Sequence, residues 1–520
     1  MAEYLSPAVY IEELSSGNKP IEAAGTSTGA FVGLAEKGPV GQAIPIQNFA
    51  EFTRTFGGYI DQGHLAFAVK AFFDEGGTSC FVVRTCHYSG VPPALTATAT
   101  PTFRIFMTTG NPGAENSIRI SAASPGAWGD QLAVQITFPD AATFDLAVRY
   151  NGTPVERFQR LSMDRLDPAY VVSVIQAQAK WITVADIVPA ASVQSMPQRR
   201  PQVTTGFTLL RASGTAGNDG LANLTAADFT GDETAGNGLR AFDRVESIRI
   251  VSMPDAFPEA HVQGMAYCES RGDCFYIADL PANANTIDDV LNYKLAQGVF
   301  AGSNALNSKY GALYTPWIQV FDPRSGGRVL IPPSGAVAGR YAATDASRGV
   351  HKAAAGTEDG LLRSALGLEF EYTATDQERL NPKGIDVIRS LPGVGRVIWG
   401  ARTTSSDPEW RYLNVRRLFL FLETSIRQST NWIVFEPNDR ALWKSITRNI
   451  SAFLKIQWLQ GALVGTKAEE AFFVKCDEET NPQESIDLGR VITEIGVAPS
   501  KPAEFVIFRI SQQAGGAPAS

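Results

Sequence analysis

The sequence predicts a mixed α/β (α+β) chain of several domains, and three observations carry the prediction. Apolar strand-like runs that end in acidic residues or proline are followed by helical periodicity; a block of short Thr/Val/Ile-rich strands interrupts them; and apolar strand-like segments lie close to both ends. The 520 residues correspond to about three or four domains at roughly 150 residues each. With 44% hydrophobic and 19% charged residues, each can bury an ordinary core.

The first element is SPAVYIEEL at 6–14, which alternates like a strand with Val9 and Ile11 on one face and Ala8, Tyr10 and Glu12 on the other. It is followed by SSGNKPIEAAGTSTG at 15–29, whose Gly, Ser, Thr and Pro show no apolar period and read as a linker, so 1–28 is assigned as an arm and its linker. The α/β segment 29–88 begins with AFVGL, a strand, then a short helix after Asn48 closed by Gly57 and Gly58. A second helix carries Leu65, Val69, Phe72 and Phe73 at helical spacing, Gly76 and Gly77 stop it, and the strand CFVVR comes next.

Between 89 and 205 the pattern becomes short strands broken by Gly, Pro and Asn, with Asn151-Gly152 as a tight hairpin signal, which predicts an inserted, mainly β domain on the outside. RASGTAGNDGLANLTAADFTGDETAGNG, at 211–238, reads as disorder-prone. A second α/β domain, 206–375, contains SIRIVSMPD and CFYIADLP as buried strands. The helix-rich stretch 376–502 comes after it, and its clearest helix is capped by Asn438 with Leu442, Ile446, Ile450, Phe453 and Leu454 on one face. It ends in two strands joined by a polar loop, a predicted hairpin of Phe472, Phe473 and Val474 against Val491, Ile492 and Ile495. After SKP, AEFVIFRI forms the last strand, Phe505, Val506, Ile507, Phe508 and Ile510, within the arm and tail 503–520.

Charge and motifs narrow the function. A net charge of -8 and the absence of a Lys/Arg block argue against nucleic acid. The first residues lack the basic and apolar regions of a signal peptide, and no run reaches the ~18 apolar residues of a membrane span, which implies a cytosolic chain with no direct membrane insertion. Five cysteines at non-metal spacings read as reduced thiols, and no metal or cofactor is expected. Gly25-Thr26-Ser27-Thr28-Gly29 matches G-x-S-x-G, but a linker precedes the serine and a strand comes after it, the reverse of a nucleophile elbow. GALVGTK at 461–467 has the wrong spacing for a phosphate loop and lies after a helix, where a helix cap is the simpler reading. Asp255, Asp273 and Asp279 sit near strand ends, a place for catalytic carboxylates as well as for capping. No catalytic residue is assigned, and no enzyme activity is expected. The two apolar terminal strands are more telling, because an unpaired strand is normally covered, and strand addition to a neighbouring copy covers it. Folding back onto the chain's own hairpin is the intramolecular alternative.

These residues carry a resemblance. SPAVYIEEL resembles the Pro-Gly-Val-Tyr-(Ile/Val)-Glu-Glu opening of contractile tail sheath proteins, with Ala8 for the usual Gly. VLIPPSGAVAGRYAATDASRGVHKAAAG at 329–356 is similar to their Pro-Pro-Ser-Gly, Ala-Gly, Asp and Gly-Val signature, although Lys352-Ala353 replaces a common Ala-Pro, and the end of the chain matches their terminal pattern. The resemblance implies a six-start helical homo-oligomer around an inner tube, with baseplate and tail-terminator or cap proteins as further partners, assembled in the bacterial cytoplasm as part of a phage tail or phage-like injection particle. It implies that Val9, Tyr10, Ile11 and 505–510 are strands donated to other subunits, that the hairpin receives them, and that the linkers 15–29 and 499–502 are hinges. Arg440, Lys444, Arg448 and Lys455, on the polar face of one helix, become a candidate contact with the tube. A self-assembling shell or surface-layer protein and an α/β hydrolase-like enzyme are the readings from other classes.

Overall fold

The computed structural model describes residues 19–91, 94–109, 116–188, 196–211, 216–282, 284, 286–301 and 304–504. The chain forms two compact units. One is Gly25–Ser347 with Ala354–Leu413; the other is Met1–Ala24, Arg348–Ala353 and Asn414–Ser520.

The first unit is built on an eight-stranded sheet. Its strands are β1 (Gly29–Gly33), β2 (Ala43–Ile46), β3 (Cys80–Arg84), β4 (Ile250–Ser252), β5 (Phe275–Asp279), β6 (Gly311–Thr315), β7 (Ile385–Leu391) and β8 (Gly395–Ile398), in the spatial order β2-β3-β1-β4-β5-β6-β7-β8. From β3 to β7 the neighbours run parallel, whereas β2 and β8 pair antiparallel at the two edges. GAFVG, FYIAD and GALYT are buried throughout, as strands covered on both faces must be. The two α/β regions expected at 29–88 and 206–375 are therefore one sheet, and β7 and β8 join it from the stretch predicted to be helix-rich. That moves the boundary of the terminal unit from 376 to about 414.

Helix α1 (Phe49–Phe56) is capped by Asn48, whose Oδ1 accepts from the Glu51 amide at 2.9 Å, and α2 (Leu65–Asp74) buries Leu65, Val69 and Phe72. Helix α3 (Ser334–Arg348) explains the small residues of PPSGAVAG. A Cβ on Gly335 would lie 2.3 Å from the Ala68 carbonyl oxygen, and one on Gly339 would lie 2.4 Å from that of Phe72. Two glycines one turn apart thus let α3 approach the backbone of α2, where any larger residue would force the helices apart.

The inserted module has a four-stranded antiparallel sheet (153–161, 144–150, 132–137, 208–209) and a three-stranded one (182–186, 116–122, 103–107), packed around Ile118, Leu132, Val134, Phe144 and Leu146. Asn151 and Gly152 both take positive φ, 45° and 79°, as a tight hairpin turn requires. The module extends past the expected limit at 205, because Thr208 and Leu209 add a strand and Asn218 bridges Thr100. Arg84, 1% exposed, secures the junction by donating to the carbonyls of Gly38 (3.1 Å) and Pro125 (2.7 Å) and pairing with Asp219. The stretch read as disorder-prone is ordered over 216–238. Thr225 and Asp228 form a capping box there, and buried Asp228 also accepts from the Tyr88 amide at 2.9 Å.

In the second unit α4 (Leu413–Ser429) packs Leu418, Phe421 and Leu422 in one cluster with Trp443, Ile446, Ile450 and Phe453 of α5 (Arg440–Leu459). Each fully buried side chain of this kind contributes roughly 1.5–3 kcal/mol. The cap of α5 is Asp439, which accepts from the Leu442 amide at 2.8 Å. Asn438, the expected cap, instead accepts from the Trp443 indole and donates to the Arg490 carbonyl.

Candidate assembly interface

The carboxyl ends of β1 and β4, where the strand order diverges, are the place at which open α/β sheets bind ligands. Here Asp255 and Asp279 are aimed at backbone amides, while Asp279 Oδ2, Ser252 Oγ and Ser334 Oγ are buried with no hydrogen-bond partner among the described residues. Asp255 accepts from the amides of Leu34 (2.8 Å) and His64 and faces the His64 ring at 3.3 Å. Asp279 accepts from the Ser334 amide at 2.9 Å and so caps α3, while burial pushes its carboxyl up to about 7 against the lowering effect of that bond. Asp273 is paired with Arg271 at 2.8 Å and Arg249 at 3.6 Å. Ser27 precedes β1 with no helix after it, and Thr466, in the would-be phosphate loop, donates from its amide and hydroxyl to Glu470. Among the described residues no group of three or more His, Cys, Asp or Glu could hold a metal ion.

The second unit is open where the first is closed. Strands β9 (Phe472–Lys475) and β10 (Glu494–Val497) pair antiparallel as a sheet of two strands, Phe473 opposite Gly496 and Val474 opposite Ile495. One face rests on the unit's core through Phe472, Val474 and Val497. On the other, Phe473 is 57% exposed and its ring lies over Gly496, where a Cβ would come within 2.1 Å of it. Among the described residues no third strand joins this ribbon, and a two-stranded ribbon by itself is marginal in water, its edge N–H and C=O groups calling for partners. The second strand begins at Glu494 rather than 491. Val491 and Ile492 are outside it because the buried Asn481 side chain serves as partner to Ile492, accepting from its N–H at 2.6 Å and donating to its C=O at 2.9 Å. Sequence reading missed Asn481, since a side chain standing in for a strand leaves no periodic trace.

Val9, Tyr10, Ile11 and Phe505, Val506, Ile507, Phe508, Ile510 lie outside the described residues. The chain segments next to them are anchored, contrary to the expectation of free hinges. Ile21 packs on the core of the second unit, and the amides of Glu22 and Ala24 donate to Ser429 and Ser425 of α4, each at 3.0 Å. At the other end, Leu463 bridges Pro499 and the Ser500 amide donates to the Ala462 carbonyl at 3.1 Å. On α5, Arg440, Lys444, Arg448 and Lys455 are all exposed on the side away from the buried Ile446, Ile450 and Phe453, and Arg440 is paired with Glu478.

Two family models match end to end, the phage tail sheath protein central domain over 218–404 and the phage tail sheath C-terminal domain over 405–513. The chain belongs to the phage tail sheath family. A curated relative, the tail sheath protein of Enterobacteria phage T4, is 26% identical over 300 residues, 56% of this chain and 42% of the relative. The tail sheath protein of Vibrio phage KVP40 is 28% identical over 228 residues, 44% of this chain and 31% of the relative. This sheath-family chain thus spans less than half the length of these relatives. The fold is shared with the sheath of an extracellular contractile injection system in its contracted state (TM-score 0.58, 22% identity, 99% of each chain). It is shared as well with a sheath tail protein from Desulfitobacterium hafniense (TM-score 0.59, 13% identity, 90% of this chain and 94% of that one).

Proposed function

We propose that the chain is the structural subunit of a contractile sheath whose copies polymerise in a six-start helix around an inner tube, anchored on a baseplate and closed by a terminator or cap protein. Contraction drives the tube through a target membrane. The observation that carries this reading is the open ribbon of β9 and β10, a two-stranded sheet with an exposed aromatic face in a unit where both arms are rooted. The strand at 9–11 of one copy and the strand at 505–510 of another extend the ribbon of a third to four strands. Each added strand buries two or three apolar side chains at roughly 1.5–3 kcal/mol apiece and adds hydrogen bonds at roughly 0.5–1.5 kcal/mol net, before ordering costs. The stroke draws on interface gained between copies, so no nucleotide enters it. The basic stripe of α5 contacts an acidic tube through pairs that are weak singly, ~0–1 kcal/mol, and released as the bodies move. The inserted module lies on the outer surface. Negative-stain microscopy of the expressed full chain tests the reading. Hollow striated tubes are expected; closed shells or flat sheets would transfer the chain to the shell class, and a monomer at all concentrations would end the proposal.

A further inference from the structure

Residues 22–24 run extended along α4, and the hydrogen bonds between them are matched in spacing. Alternate residues of an extended chain lie roughly 6.5 Å apart, and residues four apart on a helix rise roughly 6 Å, so the Glu22 and Ala24 amides meet the hydroxyls of Ser429 and Ser425 in turn. The match has a polarity. The Ser425 hydroxyl proton is committed to the Phe421 carbonyl at 2.7 Å, which leaves its oxygen an acceptor that the Ala24 N–H uses. Ile21, packed on the core, and Lys19, whose Nζ sits 4.3 Å from the centre of the Trp432 ring, extend the contact to one more turn.

We propose that Ser425 and Ser429 form a latch that fixes the root of the N-terminal arm on α4, so that the arm's reach is counted from Lys19 and not from the linker as a whole. This rests on the sheath reading for its consequence: the strand at 9–11 can lie no further than roughly 26–29 Å from Lys19. At the other end, where Ser500 is held, Phe505 lies within roughly 16–18 Å of the anchor. Even shortened by the latch, the N-terminal arm outreaches the C-terminal one, so the C-terminal arm serves a near copy and the N-terminal one a more distant copy.

Amide hydrogen exchange on the unassembled full chain tests the latch apart from assembly. Ser425→Ala with Ser429→Ala is expected to speed exchange at Glu22 and Ala24 roughly tenfold while the amides of Phe453 and Leu454 keep their protection; unchanged exchange at Glu22 and Ala24 overturns the latch. Deleting residues 15–18 is expected to abolish tubes, and the same deletion in the double-alanine chain to restore them, because the released 19–24 makes good the lost reach. Tubes that survive the deletion, or no rescue, overturn the tether. Absence of tubes from the unmodified chain would instead fault the sheath reading and leave the exchange result standing.

Discussion

Two regions where function could sit are built in opposite ways. At the carboxyl ends of β1, β4 and β5 every acidic side chain is turned inward, Asp255 onto two amides, Asp279 onto the start of α3. At β9 and β10 an aromatic face is exposed, and among the described residues no third strand pairs with either. A carboxylate oxygen already held by backbone amides has little left for a ligand, whereas backbone groups at a strand edge need a partner. The difference teaches that an enzyme-like sheet can serve as a rigid body while the interaction surface sits on a small ribbon elsewhere.

The sharpest way to break the comparison is to remove the N-terminal segment proposed to add to a neighbour's ribbon. A chain lacking residues 1–14 is expected to stay folded and soluble yet form no ordered tubes by electron microscopy; loss of its cooperative unfolding transition would mean that the arm completes the chain's own core. Next in size is Phe473→Ala. Because the ring is more than half exposed, unfolding stability should fall by less than about 1 kcal/mol, while tube formation measured by sedimentation is strongly reduced. A large drop in stability with assembly preserved would make the ribbon a core element.

The closed site has its own test. Burial holds the Asp279 carboxyl at about 7, above its ordinary 3.8, so the folded chain keeps a proton that the unfolded chain releases. The stability associated with that proton is complete below about pH 4 and lost as the pH rises through about 7. Asp279→Asn keeps the acceptor for Ser334 and removes the charge. Urea unfolding should show the variant more stable than the parent at pH 8, by on the order of a few kcal/mol, and nearly equal at pH 4; equal stability at both values would mean the carboxyl is hydrated. Smaller still, Lys444→Glu with Arg448→Glu should leave sheath-to-sheath assembly intact and reduce only the recovery of tube protein with the particles. Ser27→Ala should alter neither stability nor assembly, and a hydrolase activity abolished by it would reopen the enzyme reading.

Much of this was legible because it is periodic. Leu65, Val69 and Phe72, or Ile446, Ile450 and Phe453, announce buried helix faces, and Asn151-Gly152 announces its hairpin. The strand containing Ile495 was legible but its start was not, since Val491 and Ile492 continue the apolar pattern although Ile492 is paired with the Asn481 side chain. The linker was misread from 19 to 24 for a similar reason: its composition is that of a tether, and partners distant in the chain, Ser425 and Ser429 of α4 with Ile21 packed on the core, make it a docked segment.

The sequence by itself determined the local elements, the mixed α/β class and the glycine pair of α3, because spacing, caps and side-chain size act over a few residues. Tertiary structure alone decided that β1 pairs with β4 across the inserted module, that β7 and β8 complete the same sheet, and that Asp279 and Asp255 accept from the amides that open α3 and α2. Those outcomes depend on which distant backbone N–H each strand or carboxylate meets, and a hydrogen bond between residues far apart in the chain has no signature in the order of the residues next to it.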